Sequence, residues 1–343
     1  MLALRKVERR VGGLSLDQID MPEPGFGEIR LRVDRAGICG TDLHIYNWAP
    51  FSHRMRLPTV LGHEIAGVVD ATGRGVERVA AGDFVSVESH IWCGQCYSCH
   101  MGHTHVCMNT RYPGVDIDGG FAPYVVLPEK IAWKLDPAIP QEVAALFEPL
   151  GIAVHTTLDG TGVSGMNVLV AGCGPIGLMN IVTARALGAH RIIATDIVPR
   201  RLQQARLLGA DRAINVSKQN ALKIIKDMTQ GNGVDVALEY SGAAASLALI
   251  SQCTVPGGEV RLVGVPAGKS SIDLEAFLLR GISMRNIHGR RLFSSWEHTT
   301  KLVRDGKIDL NPIISDVLPL EESKKGFEMA LAGKADKVLI DPT

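Results

Sequence analysis

The glycine pattern GCGPIG (172–177) constrains the fold of this chain more than any other feature of its sequence. It follows an apolar run, NVLVAG (167–172), and opens a run with helical periodicity, PIGLMNIVTARALG (175–188). In a strand–turn–helix unit of this kind, the glycines allow a tight turn and a close approach of the backbone to the pyrophosphate of a dinucleotide. The second predicted strand, RIIATD (191–196), ends at Asp196, an acid that can accept hydrogen bonds from both ribose hydroxyls.

Asp196 favours NAD over NADP as the dinucleotide, because its carboxylate would repel a 2′-phosphate. Arg200 and Arg201 are close in sequence and could instead accommodate that phosphate, so NADP remains the alternative. A glycine-rich turn without a ligand is the structural interpretation, but it leaves the aligned acid unexplained. The nucleotide contacts predicted in this segment are Gly172, Gly174, Pro175, Ile176, Gly177, Asp196 and Arg201.

Strand-like and helix-like segments alternate from about residue 160 to 265, which predicts βαβ units and a parallel sheet covered by helices on both faces. Residues 1 to about 150 are instead rich in Gly, Pro and short β-type runs, which predict a β-rich domain. The last fifty residues lose the alternation. We therefore predict an α/β protein in which a doubly wound, Rossmann-type domain (153–290) is inserted into a β-rich domain (1–152 and 291–343).

Composition narrows the class of protein. The chain has 343 residues with 36 basic and 36 acidic side chains, and it lacks the long basic run typical of a nucleic-acid binder. Residues 167–189 are apolar enough to suggest a membrane span, but their glycines, proline and Arg185 favour a buried strand–helix unit. The start, MLALRKVERR, does not resemble a signal peptide. We expect a cytoplasmic protein that binds a small molecule and neither nucleic acid nor membrane.

Four cysteines within fifteen residues, Cys93, Cys96, Cys99 and Cys107, predict a metal site. Four thiolates at this spacing can surround one Zn²⁺ tetrahedrally and leave no open position, so the predicted site is structural. An iron–sulfur cluster is one alternative, and a disulfide pair, typical of small secreted chains, is another. Nearby histidines could compete as ligands, although the four cysteines suffice: His90, His100, His103 and His105.

A second metal site is predicted from residues that are dispersed in the sequence. Cys39 lies in GICGTDLH and His63 in GHE, followed directly by Glu64, while Glu148 lies in FEPLG. A lone Cys or His is more often a packed core residue, but glycines flank both residues here and acids accompany them. A catalytic zinc needs about three protein ligands and one exchangeable position, and these residues can supply them.

These motifs in this order, GICGTDLH, GHEIAGVV, the four-cysteine segment, EPLG and GCGPIG, resemble the zinc-containing medium-chain dehydrogenase family over essentially the whole chain. The resemblance implies a GroES-like catalytic domain with an inserted Rossmann domain. It also implies two zinc ions per chain, one catalytic and one structural, with NAD as cofactor. We further predict cofactor contacts at Val263, Gly264, Val265, Ile287 and His288.

One ligand position places the chain within the family. Many alcohol dehydrogenases bind the catalytic zinc with two cysteines and one histidine, and Glu148 stands where these have the second cysteine. In this respect the chain resembles the polyol and threonine dehydrogenase branch, so Cys39, His63 and either Glu64 or Glu148 become the predicted ligands. Ile152 stands where threonine dehydrogenases usually carry Asn, and the loop at 111–121 is only loosely similar. The resemblance therefore implies threonine as the substrate, with a polyol as the alternative.

The resemblance also implies a mechanism. Zinc lowers the pKa of the substrate hydroxyl so that an alkoxide can form, and the alkoxide carbon passes hydride to the nicotinamide. Thr41 and His44 form a relay that carries the proton to solvent, with Glu148 as a third catalytic residue. The alternative for His44 is a surface histidine without a role.

His90 and Arg290 are candidate partners for the charged groups of an amino-acid substrate. Relatives of this branch are commonly tetramers, so a homotetramer is expected. A nucleotide or redox sensor without catalysis is the competing function. It is disfavoured because such a protein would be expected to lose a ligand or relay residue, and none is lost here.

Overall fold

The computed structural model describes residues 1–266 and 268–343, and it divides into two compact units. The first unit comprises Met1–Pro149 and Ile314–Thr343, and the second comprises Leu150–Ile313. The chain therefore leaves the first unit and returns to it near the C-terminus.

The second boundary differs from the predicted one at residue 290. The segment between 291 and 313 belongs to the second unit, and the side chain of Trp296 within it is fully buried. Its ring lies 6.0 Å from the guanidinium carbon of Arg290, and the amide of Gln204 donates to the carbonyl of Pro312 at 2.8 Å. This segment contains a helix but no strand among the described residues, so the loss of alternation there suggested the wrong domain.

The elements of the described ranges have the following bounds. The strands are β1 Leu2–Lys6, β2 Leu14–Gln18, β3 Glu28–Gly37, β4 Thr59–Val60, β5 Glu64–Thr72, β6 Phe84–Val87, β7 Tyr124–Pro128, β8 Ala132–Lys134, β9 Asn167–Ala171, β10 Arg191–Asp196, β11 Arg212–Asn215, β12 Val234–Glu239, β13 Thr254–Leu262, β14 Ser283–Asn286, β15 Ile314–Pro319 and β16 Lys337–Asp341. The α-helices are α1 Gly40–Tyr46, α2 Tyr97–His100, α3 Gln141–Ala145, α4 Phe147–Leu158, α5 Pro175–Ala186, α6 Pro199–Leu207, α7 Ala221–Met228, α8 Ala244–Cys253, α9 Leu274–Leu279, α10 Ser294–Arg304 and α11 Ser323–Leu331. Short 3₁₀ helices lie at Pro50–Arg54, Thr104–Val106, Glu129–Ile131, Asn311–Ile313 and Leu320–Glu322.

The first unit is built around β3, whose sequence alternates between apolar and polar residues. Ile29, Leu31 and Val33 are fully buried, as expected of a strand with one face on the core. The main sheet has the order β15–β16–β3–β5–β6–β8, and β7 also pairs with β3. The C-terminal segment joins this unit through β16 and through Phe327 of α11, which packs edge-on against Phe121 with 6.2 Å between ring centroids.

The second unit contains a parallel sheet with the strand order β11–β10–β9–β12–β13–β14. Counted along the chain this is 3-2-1-4-5-6, the order of a dinucleotide-binding sheet, in which ligands bind where the order reverses. That reversal lies between β9 and β12. The predicted Rossmann-type sheet is confirmed, and the strands before Asp196 lie within two residues of their predicted ends.

Residues 167–189, whose hydropathy could suggest a membrane span, form the strand β9 followed by the helix α5. Among the described residues, none of the helices combines the length and apolar character needed to cross a bilayer. The strand–helix interpretation of this segment is confirmed.

Candidate active site

Cys39 and His63 are brought together by the pairing of β3 with β5. The two strands are antiparallel, and Gly37 at the end of β3 lies opposite Glu64 at the start of β5. Cys39 follows β3 as the residue that caps the N-terminus of α1, and His63 directly precedes β5. One ligand atom each from Cys39, His63 and Glu64 lie within 4.8 Å of one another. A thiolate, an imidazole and a carboxylate at these separations fit a zinc ion and leave a position for substrate.

Asp42, which the sequence analysis missed, lies behind two of these residues. Its Oδ2 accepts a hydrogen bond of 2.9 Å from the backbone N–H of Cys39, and its Oδ1 lies 4.0 Å from Nδ1 of His63. Asp42 is completely buried, and burial raises the pKa of its carboxyl. A carboxylate next to the outer ring nitrogen is the usual companion of a metal-binding histidine. The third position of a helix capped by a ligand, as in GICGTD, is the signal that could have identified it.

The charges around His63 favour a cation. Burial alone would lower the pKa of the imidazole, but the negative charges of Cys39 and Asp42 outweigh it and raise the pKa to about 10. The surrounding anions therefore favour the protonated, positively charged form of the ring. A divalent ion that takes the place of this proton would gain from the same anions.

Glu64 is paired with a lysine from the C-terminal segment. Lys337 Nζ donates to both carboxylate oxygens, at 2.8 and 2.6 Å, and also to the carbonyl of Ile38 at 3.1 Å. Burial lowers the pKa of Lys337, but the charges of Glu64 and Cys39 more than compensate and raise it. The positive charge of Lys337 is thus held beside the candidate ligands, a feature that the sequence analysis did not predict.

Glu148, the other candidate glutamate, lies outside the set of ligand atoms that converge within 4.8 Å. Its Oε1 accepts a hydrogen bond of 2.5 Å from the Ser89 hydroxyl, and both residues are buried. The charge of Glu148 nevertheless contributes to raising the pKa of His63. The structure therefore brings Glu64, rather than Glu148, to the two other candidate ligands.

The proposed relay residues lie on α1, beside the capping cysteine. The Thr41 hydroxyl is 3.9 Å from the sulfur of Cys39, within the range of a hydrogen bond to sulfur. His44 follows three residues later, which places it one helical turn away, and its side chain is exposed. Thr41 is half-buried and His44 is exposed, so exposure increases from the residue beside Cys39 toward solvent, as a proton path requires.

The four-cysteine segment forms a compact lobe around α2. Neighbouring sulfurs are 3.6 Å (Cys96 to Cys99), 3.8 Å (Cys96 to Cys107) and 3.5 Å (Cys107 to Cys93) apart. Ligands about 2.3 Å from a tetrahedral zinc would be about 3.8 Å apart, so the four sulfurs fit one ion. The backbone N–H of Gln95 donates to Cys93, which helps to lower the pKa of that thiol to about 6.

The nucleotide loop leaves space at one of its three glycines. Gly172 has a φ of 99°, which favours glycine. A Cβ at Gly177 would lie 2.0 Å from the carbonyl oxygen of Gly172, so the loop and α5 pack too closely for a side chain. A Cβ at Gly174 would meet nothing within 4 Å. Gly174 caps α5, and open space at a helix N-terminus is what a pyrophosphate needs.

Asp196 lies at the end of β10 and organises the same loop. Its Oδ2 accepts from the backbone N–H of Cys173 and its Oδ1 from that of Val198, both at 2.8 Å. Glu239, at the end of β12, is an acid that the sequence analysis missed. It accepts from the backbone N–H groups of Ser241 and Gly242 at 2.9 and 3.0 Å, and its carbonyl accepts from Gly264. An acid at the carboxyl end of a predicted parallel strand is the sequence signal for it.

The remaining predicted cofactor contacts follow β13 and β14. Val263 and Gly264 both donate to the carbonyl of Glu239, and Val265 is exposed. Ile287 is buried and donates to the carbonyl of Leu262, whereas His288 is exposed. Arg201 lies in the first turn of α6. These residues therefore lie near the carboxyl ends of the strands, where a dinucleotide binds this fold.

The two candidate substrate contacts are buried. His90 Nδ1 lies 2.7 Å from Oε1 of Glu88, and its ring packs edge-on against Tyr112. Arg290 is fully buried, stacked on Trp296, and a Cβ at Gly151 would lie 2.7 Å from its Cδ. A part of either residue in substrate binding stays a prediction.

Comparisons with known proteins agree with this geometry. A family model described as an alcohol dehydrogenase GroES-like domain matches residues 25–137, and one described as a zinc-binding dehydrogenase matches residues 175–305. An L-threonine 3-dehydrogenase from Pyrococcus abyssi (strain GE5 / Orsay) is 43% identical over 342 residues, which cover 99% of this chain and 98% of the relative.

Two solved structures have a similar fold over their full length. The 2R,3R-butanediol dehydrogenase from Bacillus subtilis has a TM-score of 0.91 at 28% identity, covering 100% of this chain and 99% of that chain. An alcohol dehydrogenase from E. coli CFT073 in complex with NADH has a TM-score of 0.91 at 28% identity, covering 99% of both chains.

Proposed function

The chain belongs to the family of zinc-binding alcohol dehydrogenases with a GroES-like domain, and from this premise we propose that it oxidises L-threonine to 2-amino-3-oxobutanoate with NAD. The observation that carries the proposal is the convergence of Cys39, His63 and Glu64 beside Thr41 and the exposed His44. Full-length identity of 43% to an L-threonine 3-dehydrogenase supports the substrate.

We propose that Cys39, His63 and Glu64 hold the catalytic zinc, and that the four cysteines of the lobe hold a structural one. The bound metal would lower the pKa of the substrate hydroxyl. Asp42 holds the backbone of Cys39 and faces His63, so the two ligands are oriented together. Lys337 compensates the charge of Glu64, which keeps the combined negative charge of the site low enough for a substrate that carries its own carboxylate.

The proton leaves through side chains of the chain itself. We propose that the Thr41 hydroxyl accepts the proton released from the substrate and passes it toward the imidazole of His44, which is exposed and can return it to water. The charge of Glu148, which accepts a hydrogen bond from Ser89, acts on the same site, because it contributes to raising the pKa of His63.

NAD is the proposed cofactor, with its pyrophosphate at Gly174 and its adenosine ribose at Asp196. The open space at Gly174 and the carboxylate at the end of β10 support this assignment. The similar E. coli alcohol dehydrogenase in complex with NADH supports it as well. The carboxylate of Asp196 would repel a 2′-phosphate, which favours NAD over NADP.

A second candidate is the oxidation of a diol or polyol. Ile152 lies in the first half of α4 where threonine dehydrogenases usually carry Asn, and the fold is shared with a butanediol dehydrogenase. An apolar side chain at this position would suit a substrate without an ammonium group.

The test is the rate of NADH formation with L-threonine, butane-2,3-diol and sorbitol, with the Cys39→Ala variant as the inactive control. We expect the highest kcat/KM for L-threonine. A higher value for either alcohol would reassign the substrate, and no reduction of NAD by any of them would favour the sensor function. A homotetramer and a cytoplasmic location stay predictions, and light scattering on the purified protein tests the first.

A further inference from the structure

The four-cysteine lobe acquires an excess of negative charge when it binds a metal. Four thiolates around one Zn²⁺ leave two negative charges uncompensated. Between Cys93 and Cys107 the sequence contains histidines but neither lysine nor arginine. A permanent positive charge beside the metal complex therefore has to come from another part of the chain.

Lys130 reaches from the first unit to the point where the lobe begins. It lies in the 3₁₀ helix Glu129–Ile131, directly before strand β8. Its Nζ donates to the carbonyl of Trp92, the residue that precedes Cys93, and lies 4.9 Å from the centroid of the Trp92 ring. These two contacts hold the ammonium group beside the start of the lobe.

The backbone on both sides of Lys130 is anchored. The N–H of Glu129 donates to the carbonyl of Gly27 at 3.0 Å. The carbonyl of Ile131, a fully buried residue, accepts from the N–H of Glu88 at 2.8 Å. The half-buried side chain of Lys130 thus extends toward the lobe from a fixed segment.

The ammonium group of Lys130 and the lobe cysteines act on each other electrostatically. Burial and the charge of Arg111 lower the pKa of Lys130. The charges of three lobe cysteines act in the opposite direction, namely those of Cys107, Cys93 and Cys99. Without a metal these thiols can be protonated and then carry no charge. The attraction of Lys130 for the thiolates therefore favours the zinc-bound lobe over the metal-free one.

We propose that Lys130 stabilises the zinc complex of the four-cysteine lobe by offsetting its excess negative charge. The hydrogen bond to the carbonyl of Trp92 places this charge, and the charge itself retains the metal. The inference goes beyond the proposed catalytic function and rests on it in one respect, namely that the four cysteines of the lobe hold a zinc ion.

The rate at which zinc leaves the lobe in excess 1,10-phenanthroline measures this effect. This chelator is neutral at neutral pH, so its approach to the lobe does not depend on the charge of Lys130. Cys39→Ala identifies the release phase of the lobe, because only the four-cysteine site then retains metal. In Lys130→Met, zinc should leave the lobe about tenfold faster than in wild type, the scale expected for losing a partner of a metal site. The release phase of the other zinc site should be unchanged.

Three further variants separate the charge of Lys130 from its structural contacts. Lys130→Gln keeps a group that can donate to the carbonyl of Trp92 but has no charge, so it should release zinc as fast as Lys130→Met. Lys130→Arg keeps the charge and should release zinc at nearly the wild-type rate. Lys134→Gln is the matched control and should also keep the wild-type rate. Lys134 ends strand β8, but its side chain is 61% exposed and pairs with Asp83 at 2.6 Å.

The proposal is overturned if Lys130→Met releases zinc from the lobe at the wild-type rate. It is also overturned if Lys130→Gln keeps the wild-type rate, which would indicate a tether without an electrostatic role, or if Lys130→Arg or Lys134→Gln releases zinc as fast as Lys130→Met. Failure of the proposed function looks different: the variants would differ in zinc release as expected, but the wild-type protein would not oxidise any of the three alcohols.

Discussion

Asp42 links the backbone of one proposed ligand to the ring of another, and its carboxylate is completely buried. The Asp42→Asn variant keeps the size of the side chain but loses the charge that faces Nδ1 of His63. We expect a 10- to 100-fold loss of zinc affinity at this site, the usual consequence of losing a partner of a metal ligand. Competition with a chromogenic chelator measures the affinity.

The four-cysteine lobe supplies the control for Asp42→Asn. Its sulfurs are ordered by contacts within the lobe, so its zinc should be retained with wild-type affinity. Loss of both ions together would mean that Asp42 supports the fold of the first unit rather than one metal site. Retention of two tightly bound ions would mean that Asp42 does not orient His63.

The relay from Thr41 to His44 predicts different results for its two members. His44→Asn should lower kcat by at most about 100-fold without affecting zinc or NAD binding, because His44 is exposed and water can replace it slowly. Imidazole added as an external base should restore part of the rate. Thr41→Ala should be more damaging and less recoverable, since this hydroxyl lies beside Cys39.

Initial rates between about pH 6 and 9, a range that brackets the ordinary histidine pKa, provide the measurement. A wild-type rate of His44→Asn over this whole range would show that His44 is a surface histidine without a part in proton transfer.

At the scale of single residues, the sequence identified the candidate ligands but not what holds them. Cys39, His63 and the four lobe cysteines have characteristic local motifs. Lys337 has none, because it contacts Glu64 across 273 positions of the chain, a pairing set by the adjacency of β16 and β3. The partnership of Ser89 with Glu148 likewise depends on tertiary packing. Such contacts require the fold before they can be recognised.

Two similar glycine substitutions in the nucleotide loop, which joins strand β9 to helix α5, should have different outcomes. Gly177→Ala would place a Cβ 2.0 Å from the carbonyl oxygen of Gly172, so the start of α5 must move and both the unfolding midpoint and NADH affinity should fall. Gly174→Ala meets nothing within 4 Å. It should leave the free energy of unfolding within about 1 kcal/mol of wild type, while NADH affinity falls at least about tenfold.

Urea unfolding and NADH fluorescence titration separate these outcomes. Equal NADH affinity of Gly174→Ala and wild type would show that the space at Gly174 is not where the pyrophosphate binds. An unaltered unfolding midpoint for Gly177→Ala would show that the loop can move away without loss.

At the scale of elements, the predictions were best where one periodic signal dominates. The strand at Arg191–Asp196 has its predicted bounds, and α5 starts at the predicted Pro175. The domain boundary at residue 290 differs from the one in the structure because the sequence between 291 and 313 contains no strand signal, whereas this segment contacts residues of the second unit, as in the hydrogen bond from Gln204 to Pro312. Domain membership of such a segment follows from packing, which periodicity does not encode.

The whole molecule separates the two kinds of proposed binding residue between its compact units. The proposed zinc ligands lie within Met1–Pro149, whereas the nucleotide loop, Asp196 and Glu239 lie within Leu150–Ile313. Each set is therefore built from residues of one unit, so a change in one set need not alter the other. Loss of a zinc ligand should consequently abolish activity without abolishing the binding of NAD.

The Cys39→Ala variant tests this separation through the stability of the protein. NAD at 100 times its Kd for the wild-type protein should stabilise wild type and variant alike by about 2.7 kcal/mol. A ligand stabilises the native state according to its affinity for that state, and this affinity should be the same in both proteins. Calorimetric unfolding with and without NAD measures this, and zinc analysis should find one ion fewer in the variant. If NAD no longer stabilised Cys39→Ala, the catalytic metal site would contribute to cofactor binding, and the two sets of residues could not be treated as independent. If NAD stabilised both proteins equally while only the variant lost turnover, the zinc ligands would serve substrate binding or the chemical step and not the binding of NAD.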